Sequence, residues 1–360
     1  MPVTGTTLPG FERVRDVFED VVAGSRGGAG FSVVRRGEVL VDLWGGLADP
    51  ERGKPWREDT LCVLFSGTKG VVAAAVAALG VLDPDVEVCQ YWPGFTEGVL
   101  VHHVLDHTAG LPYVDGAHDL LDSRTCADLL ARQDPLWTPG SRVAYHALTY
   151  GYLVDELLRR TTGKSAGELV AEVLAGPHEL DLHLGTPAAL DQRVALLRRA
   201  PDYRISTFLD DPDRRRIVER MYSGLLDSDE LINSVRYRRA GLAAGGATGT
   251  ARAMATLYAL LADDRIGSPD ALARATRTWS RGTDVINDRP VHFGLGFELA
   301  DSIGTYGPAA NAFGHSGAGG GRNGAWPDAG IGFSFVSNEM RAENADGRAD
   351  RLLAAVHEAL

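Results

Sequence analysis

Hydrophobic positions along this chain follow different rhythms in different stretches, and their order carries the first structural information. Near the N-terminus Phe11, Val14, Phe18 and Val22 recur at helical spacing, which predicts an amphipathic helix. Directly after it GFSVVRRGEVLVDLWGG reads as two β-rich runs broken at Arg36-Gly37, a hairpin. Toward the other end VHFGLGFEL, AFGHSGAGGG and GRNGAWPDAGIGFSFVSNEM give more strands, with Pro327-Asp328-Ala329-Gly330 as a turn between two of them. RADRLLAAVHEAL then closes the chain as a helix. From Gly70 to about Arg239 the pattern is mostly helical. It includes LTYGYLVDELLRRTTG, stopped by Gly163, and a capping box at Ser165-Ala166-Gly167-Glu168.

Short turns between terminal strands favour antiparallel pairing, and the helices between them favour an insert. The expected fold is therefore α/β of the α+β type: an antiparallel sheet built from both ends of the chain and flanked by terminal helices. Residues 1–75 and 238–360 would form this sheet domain, and residues 76–237 an inserted, mainly helical domain. The run GVVAAAVAALGVL, Gly70 to Leu82, is too short to span a bilayer and reads as a buried core helix. The charged and aromatic stretch PDYRISTFLDDPDRRRIVERMY reads as solvated surface in preference to a lid.

Composition narrows the partners. A net charge of −12 argues against nucleic acid and anionic membranes. Cys62, Cys89 and Cys126 are odd in number and lack a C-x-x-C, which suits reduced thiols. The first residues show no basic-then-apolar export pattern, so a soluble, cytoplasmic protein is expected. Neither the histidines nor the cysteines have metal-ligand spacing, so no metal or other cofactor is expected. Lys54, Lys69 and Lys164 are the only lysines, so a lysine in a chemically suggestive place stands out.

One such place is Leu64-Phe65-Ser66-Gly67-Thr68-Lys69, an S-x-x-K that heads the apolar helix. Ser66 and Lys69 would share a helix face, the helix N-terminus would stabilise charge at the serine oxygen, and a desolvated amine could take the serine proton. A rival nucleophile, Ser316 in Gly314-His315-Ser316-Gly317-Ala318, is one substitution short of the G-x-S-x-G elbow. That elbow needs a parallel sheet before it and an acid and a histidine after it. Only His357 follows Ser316, and it lies on the terminal helix. A further candidate is the tyrosine of Pro139-Gly140-Ser141-Arg142-Val143-Ala144-Tyr145-His146-Ala147; beside a protonated lysine it would lose its proton below the ordinary value of about 10.

In these residues the chain resembles the serine hydrolases related to class C β-lactamases, including family VIII carboxylesterases and DD-peptidase-like proteins. The resemblance is carried in order by DLWGGLADPERGKPWREDTLCVLFSGTKG, VLDHTAGLPY, WTPGSRVAYHALTYGYLVDELLRRTTGKS, GLAAGGATGTARAMATLYALLA and FGHSGAGGG, from about Gly28 to Met340. It implies a β-lactamase/DD-peptidase-like fold, with Ser66 as acylated nucleophile, Lys69 as its activator and Tyr145 as base. It also implies an oxyanion hole from the backbone N–H groups of Ser66 and Ala318, with His315, Ser316, Gly317 and His146 at the substrate. VLDHTAGLPY is taken as structural, His107 and Thr108 making buried hydrogen bonds.

Two departures bear on the activity. The family's Y-x-N reads Tyr145-His146-Ala147, and the lysine of K-T-G is His315, which removes a permanent cation suited to a substrate carboxylate. Both argue against a β-lactamase or DD-peptidase. The intact Ser66, Lys69 and Tyr145 set argues against a non-catalytic binding protein. The expected activity is a carboxylesterase on a small ester; the alternative is an acyltransferase handing the same acyl group from an ester or amide to an amine or alcohol.

Overall fold

The computed structural model describes residues 2–116, 118–201, 203, 210–222, 224–225, 229–342 and 346–360. The chain opens with β1 (Thr4–Thr7), α1 (Glu12–Ala23), β2 (Gly28–Arg35) and β3 (Glu38–Asp49). Arg36 and Gly37 both have positive φ, 49° and 83°, which gives the two-residue turn the twist that β2 and β3 require. The middle of the chain contributes β4 (Cys62–Val63), α2 (Gly67–Leu79), α3 (Thr149–Thr162), β5 (Leu182–Leu184) and α4 (Pro212–Tyr222). The last third supplies β6 (Ala247–Gly249), α5 (Ala251–Ala262), β7 (Ser280–Thr283), β8 (Pro290–Phe293) and β9 (Glu298–Leu299). It ends with β10 (Phe313–Gly317), β11 (Gly321–Trp326), β12 (Ile331–Ser337) and α6 (Arg348–Glu358).

The ten-stranded sheet runs β1-β3-β2-β12-β11-β10-β9-β8-β7, with Lys54–Pro55 pairing on β3. Its centre joins the two ends of the chain, with Phe31 opposite Phe335 and Val33 opposite Phe333 in antiparallel register. Alternation then sorts the faces. Phe31, Val33, Phe333 and Phe335 pack with Phe18 of α1 and with Leu352 and Val356 of α6. Each of these phenylalanines is at most 1 % exposed, and burying such a side chain stabilises the fold by about 2–3 kcal/mol.

Val34, on the opposite face, meets Ala255 and Ala259 of α5. This contact is close enough to demand glycine at position 332, where a Cβ would stand 2.1 Å from both Ala255 O and Ala259 N. We expect Gly332→Ala to push α5 off the sheet and destabilise the fold by about 3 kcal/mol, read as a lowered thermal midpoint.

Between β4 and β6 the chain is not wholly helical. β5 pairs with β6, which also pairs with β4, making a small antiparallel sheet beneath the start of α2. Helix α2 begins at Gly67 and stops at Leu79, where Gly80 turns left-handed (φ 61°) and its N–H caps the Val76 carbonyl; Leu82 therefore lies past the helix. From Gly67 to Ala77 every residue of α2 is buried, Lys69 included. The capping box at Ser165 and Glu168 forms as the sequence suggests. Among the described residues no helix is long and apolar enough to cross a membrane.

The stretch expected as solvated surface is mostly exposed where it is described. Residues 202 and 204–209 lie outside the described residues. Helix α4, however, buries Val218 and Met221 in an apolar cluster with Tyr145, Ile286 and Phe293. Two apolar residues one turn apart suffice to dock a helix whose other positions are mostly charged.

Candidate active site

Ser66 is placed by a strained turn. Phe65 holds φ at 46°, an unfavourable value for a bulky side chain, and this swings the chain from β4 into α2 with Ser66 as its first flanking residue. Lys69 lies one turn on, with no exposed surface. Its Nζ contacts Ser66 Oγ at 3.2 Å, the Ala147 carbonyl at 2.8 Å and the Ala244 carbonyl at 3.0 Å. Burial pushes the amine down to about 7, against the pull of the Glu298 carboxylate.

Tyr145 faces the same point, with Lys69 Nζ 4.8 Å from its ring centre. Its backbone N–H donates to Asp284 Oδ2 at 2.7 Å, and Asp284 Oδ1 accepts the N–H groups of Ile286 and Asn287, each at 2.8 Å. The phenol does not titrate as the sequence suggests. Burial above all, then the Glu298 charge, pushes it well above its ordinary value, and the neighbouring Ser66 hydroxyl offsets this only in part. Tyr145 is thus a neutral phenol in the resting site.

The strand β10 closes the other side. A Cβ on Gly317 would stand 2.5 Å from Leu64 O, so glycine there lets the end of β10 touch the start of α2. This sets Gly317, the residue before Ala318, against the turn that carries Ser66. Among the described residues neither the Ser66 nor the Ala318 backbone N–H has a hydrogen-bond partner. Gly70 serves the same approach from the helix side, since a Cβ on it would meet Tyr258 Oη at 2.1 Å and His315 Cβ at 3.1 Å.

His315 is 1 % exposed and faces α2; its Nδ1 lies 2.9 Å from Ser316 O, and burial lowers the ring to about 4. It is therefore neutral at pH 7. Ser316 alternates to the other face, where its N–H and Oγ–H donate to Glu298 Oε2 at 3.0 and 2.9 Å. Ser316 and Gly317 also edge a cleft of about 120 Å³ with Thr305, Arg322 and Asp350.

His146, expected at the substrate, is committed to the framework instead. Its Nε2 accepts the Leu111 N–H at 3.0 Å and its Nδ1 lies 2.6 Å from Ala144 O, so neither nitrogen is left over. His107 and Thr108 make buried bonds: His107 Nδ1 accepts the His146 N–H at 3.1 Å, and Thr108 Oγ1 donates to Asp106 Oδ1 at 2.6 Å. Asp284 and Glu298 were not foreseen. Asp284 had one signal, an aspartate followed by Asn287-Asp288 in a turn, where side-chain caps are common.

A helix-borne serine and buried lysine, a facing tyrosine and a glycine strand against the helix start define the class, an enzyme of the penicillin-binding-protein-like serine hydrolases. The comparisons agree. Residues 14–358 match the family described as Beta-lactamase. The chain is 33% identical over 361 residues to Esterase/beta-lactamase LipL of Mycobacterium tuberculosis (strain ATCC 25618 / H37Rv), covering 94% of this chain and 83% of that protein. Its fold is similar to the crystal structure of a family VIII carboxylesterase (TM-score 0.90, 33% identity, all of both chains). It is equally similar to a penicillin-binding protein homologue from Caulobacter crescentus (TM-score 0.89, 34% identity, all of both chains). The chain belongs to the beta-lactamase family.

Proposed function

We propose that this protein is a carboxylesterase that works through an acyl-enzyme on Ser66. The observation that carries the reading is the environment of Lys69. Two of its tetrahedral directions are taken by the Ala147 and Ala244 carbonyls and the third points at Ser66 Oγ. With the amine lowered to about 7, a large share of the protein at neutral pH has a lone pair aimed at the serine hydroxyl. Lys69 takes that proton as Ser66 Oγ attacks the ester carbonyl, and the N–H groups of Ser66 and Ala318 hold the oxyanion. Tyr145, a neutral phenol, donates its proton to the leaving alcohol and recovers one from the water that releases the acyl group. His315 and Gly317 flank the ester, while Ser316, expected there too, turns its hydroxyl to Glu298. With a neutral histidine in place of a permanent cation, an uncharged ester suits the site better than a substrate carrying a carboxylate.

A second reading keeps the acyl-enzyme and passes it to an amine or alcohol. Burial of Tyr145 among Val143, Met221 and Phe293 favours it, because an apolar surround disfavours water as acceptor. The test is the intact mass of the protein after brief exposure to an activated short-chain ester, followed to deacylation with and without added alcohol or amine. For the esterase, the adduct decays at one rate in both and the free acid is the product. Faster decay with an acylated acceptor as product would replace it by the transferase.

A further inference from the structure

Glu298 is a mostly buried carboxylate, its side chain 12 % exposed, and two of its three bonds lead to the strand that borders the site. Its Oε2 accepts the Ser316 N–H and Oγ–H and the Tyr306 hydroxyl, and His315 Nδ1 stands 3.9 Å away. Two of these bonds fall on the residue immediately before Gly317, where β10 meets the start of α2. A carboxylate is not needed for packing here, since a neutral amide has the same shape and avoids the cost of burying a charge.

We propose that Glu298 is a positioning residue for the acylation site: it fixes the Ser316–Ala318 backbone against α2 and supplies the buried negative charge opposite Lys69. The second half rests on what surrounds each group. Around Glu298 stand His315 and Ser316 of β10, Tyr306 before it, Arg289 ahead of β8, and Tyr258 of α5. Burial alone would raise this carboxyl, but His315, which gains its charge only at low pH, together with Arg289 and the hydrogen bonds from Tyr306 and Ser316, holds it down to about 2, so it stays ionised at neutral pH.

Lys69 is faced by Tyr145, Tyr150 of α3, His107, His146 and His315. Burial keeps all three histidines neutral at pH 7. Glu298 is then the carboxylate that acts on both Lys69 and Tyr145, raising each. It limits how far burial depresses the lysine and adds to burial in keeping the tyrosine protonated. The inference rests on the reading of Ser66 and Lys69 given above.

The experiment uses the small number of lysines. Protein labelled with ¹³Cε-lysine gives signals from Lys54, Lys69 and Lys164 alone, and the Lys69 signal is assigned by its absence in Lys69→Met. In Glu298→Gln, which keeps the shape and removes the charge, the Lys69 titration is expected to move down by about 0.5 pH or more, with the acid limb of kcat/KM following it. In Glu298→Asp, which keeps the charge and shortens the reach to Ser316, the titration stays and kcat falls about tenfold as the oxyanion donor is displaced.

An unmoved Lys69 signal in Glu298→Gln overturns the charge role, and an unchanged kcat in Glu298→Asp overturns the positioning role. Should Glu298→Gln fail to fold, Glu298→Asp still decides the positioning role, and Glu298→Ala, which also removes the charge, decides the charge role by the same Lys69 signal. The lysine signal needs no turnover, so failure of the wild type to acylate on Ser66 would sink the functional reading without touching this measurement.

Discussion

Replacing Ser66 by alanine is expected to remove ester turnover by roughly 10⁴–10⁶-fold in kcat and to leave no acyl adduct on the protein. Ser66 is the hydroxyl in contact with Lys69, and the proposed reading gives its oxyanion to the N–H groups of Ser66 and Ala318. Ser316 is a serine of another kind. Its hydroxyl donates to Glu298, a group held ionised and engaged by two other donors. Ser316→Ala removes one bond to that carboxylate, and about tenfold in kcat/KM is the expected loss. Intact mass with an activated ester, alongside kcat/KM for both variants, reads the difference. Equal modest losses, or an adduct that persists in Ser66→Ala, would move the nucleophile to Ser316.

What the sequence disclosed and what it hid follow a physical division. Ser66 and Lys69 were legible because their spacing and the apolar run behind them are local, and a lysine inside such a run is costly unless used. The sheet built from both chain ends was legible for the same reason: its strands alternate and its turns carry Gly and Pro. The groups that shape Lys69 were not. Ala147 and Ala244 act through carbonyl oxygens, which every residue has. Glu298 sits on a short strand where alternation suggests a solvated acid, and only the fold places Ser316, Tyr306 and His315 around it. His146 failed as a substrate contact because adjacency to Tyr145 in sequence says nothing about where its ring nitrogens turn. The docked edge of helix α4 was hidden because its charges outnumber the two apolar side chains that hold it.

The buried lysine should leave a signature in stability as well as in rate. Lys69→Met is expected to lower kcat by about 10³-fold or more, since a thioether can neither take the Ser66 proton nor bond both carbonyls. Its effect on folding depends on pH. In the native protein burial brings Lys69 down to about 7, while in the unfolded chain it returns to its ordinary value of 10.5. Between those values the unfolded state binds a proton that the native state lacks, so wild-type stability rises with pH across this window. Below it both states are protonated and the full cost of burying the charge is present. Integrated over the window the gain is at most about 5 kcal/mol. The methionine variant has no such titration. The stability of wild type relative to Lys69→Met should therefore be lowest near pH 6 and climb by several kcal/mol toward pH 10, and groups common to both proteins cancel in the difference. Denaturant midpoints at pH 6, 8 and 10 measure it. Parallel curves would mean that Lys69 keeps an ordinary ammonium in the fold, and the amine could not then serve as the resting base for Ser66.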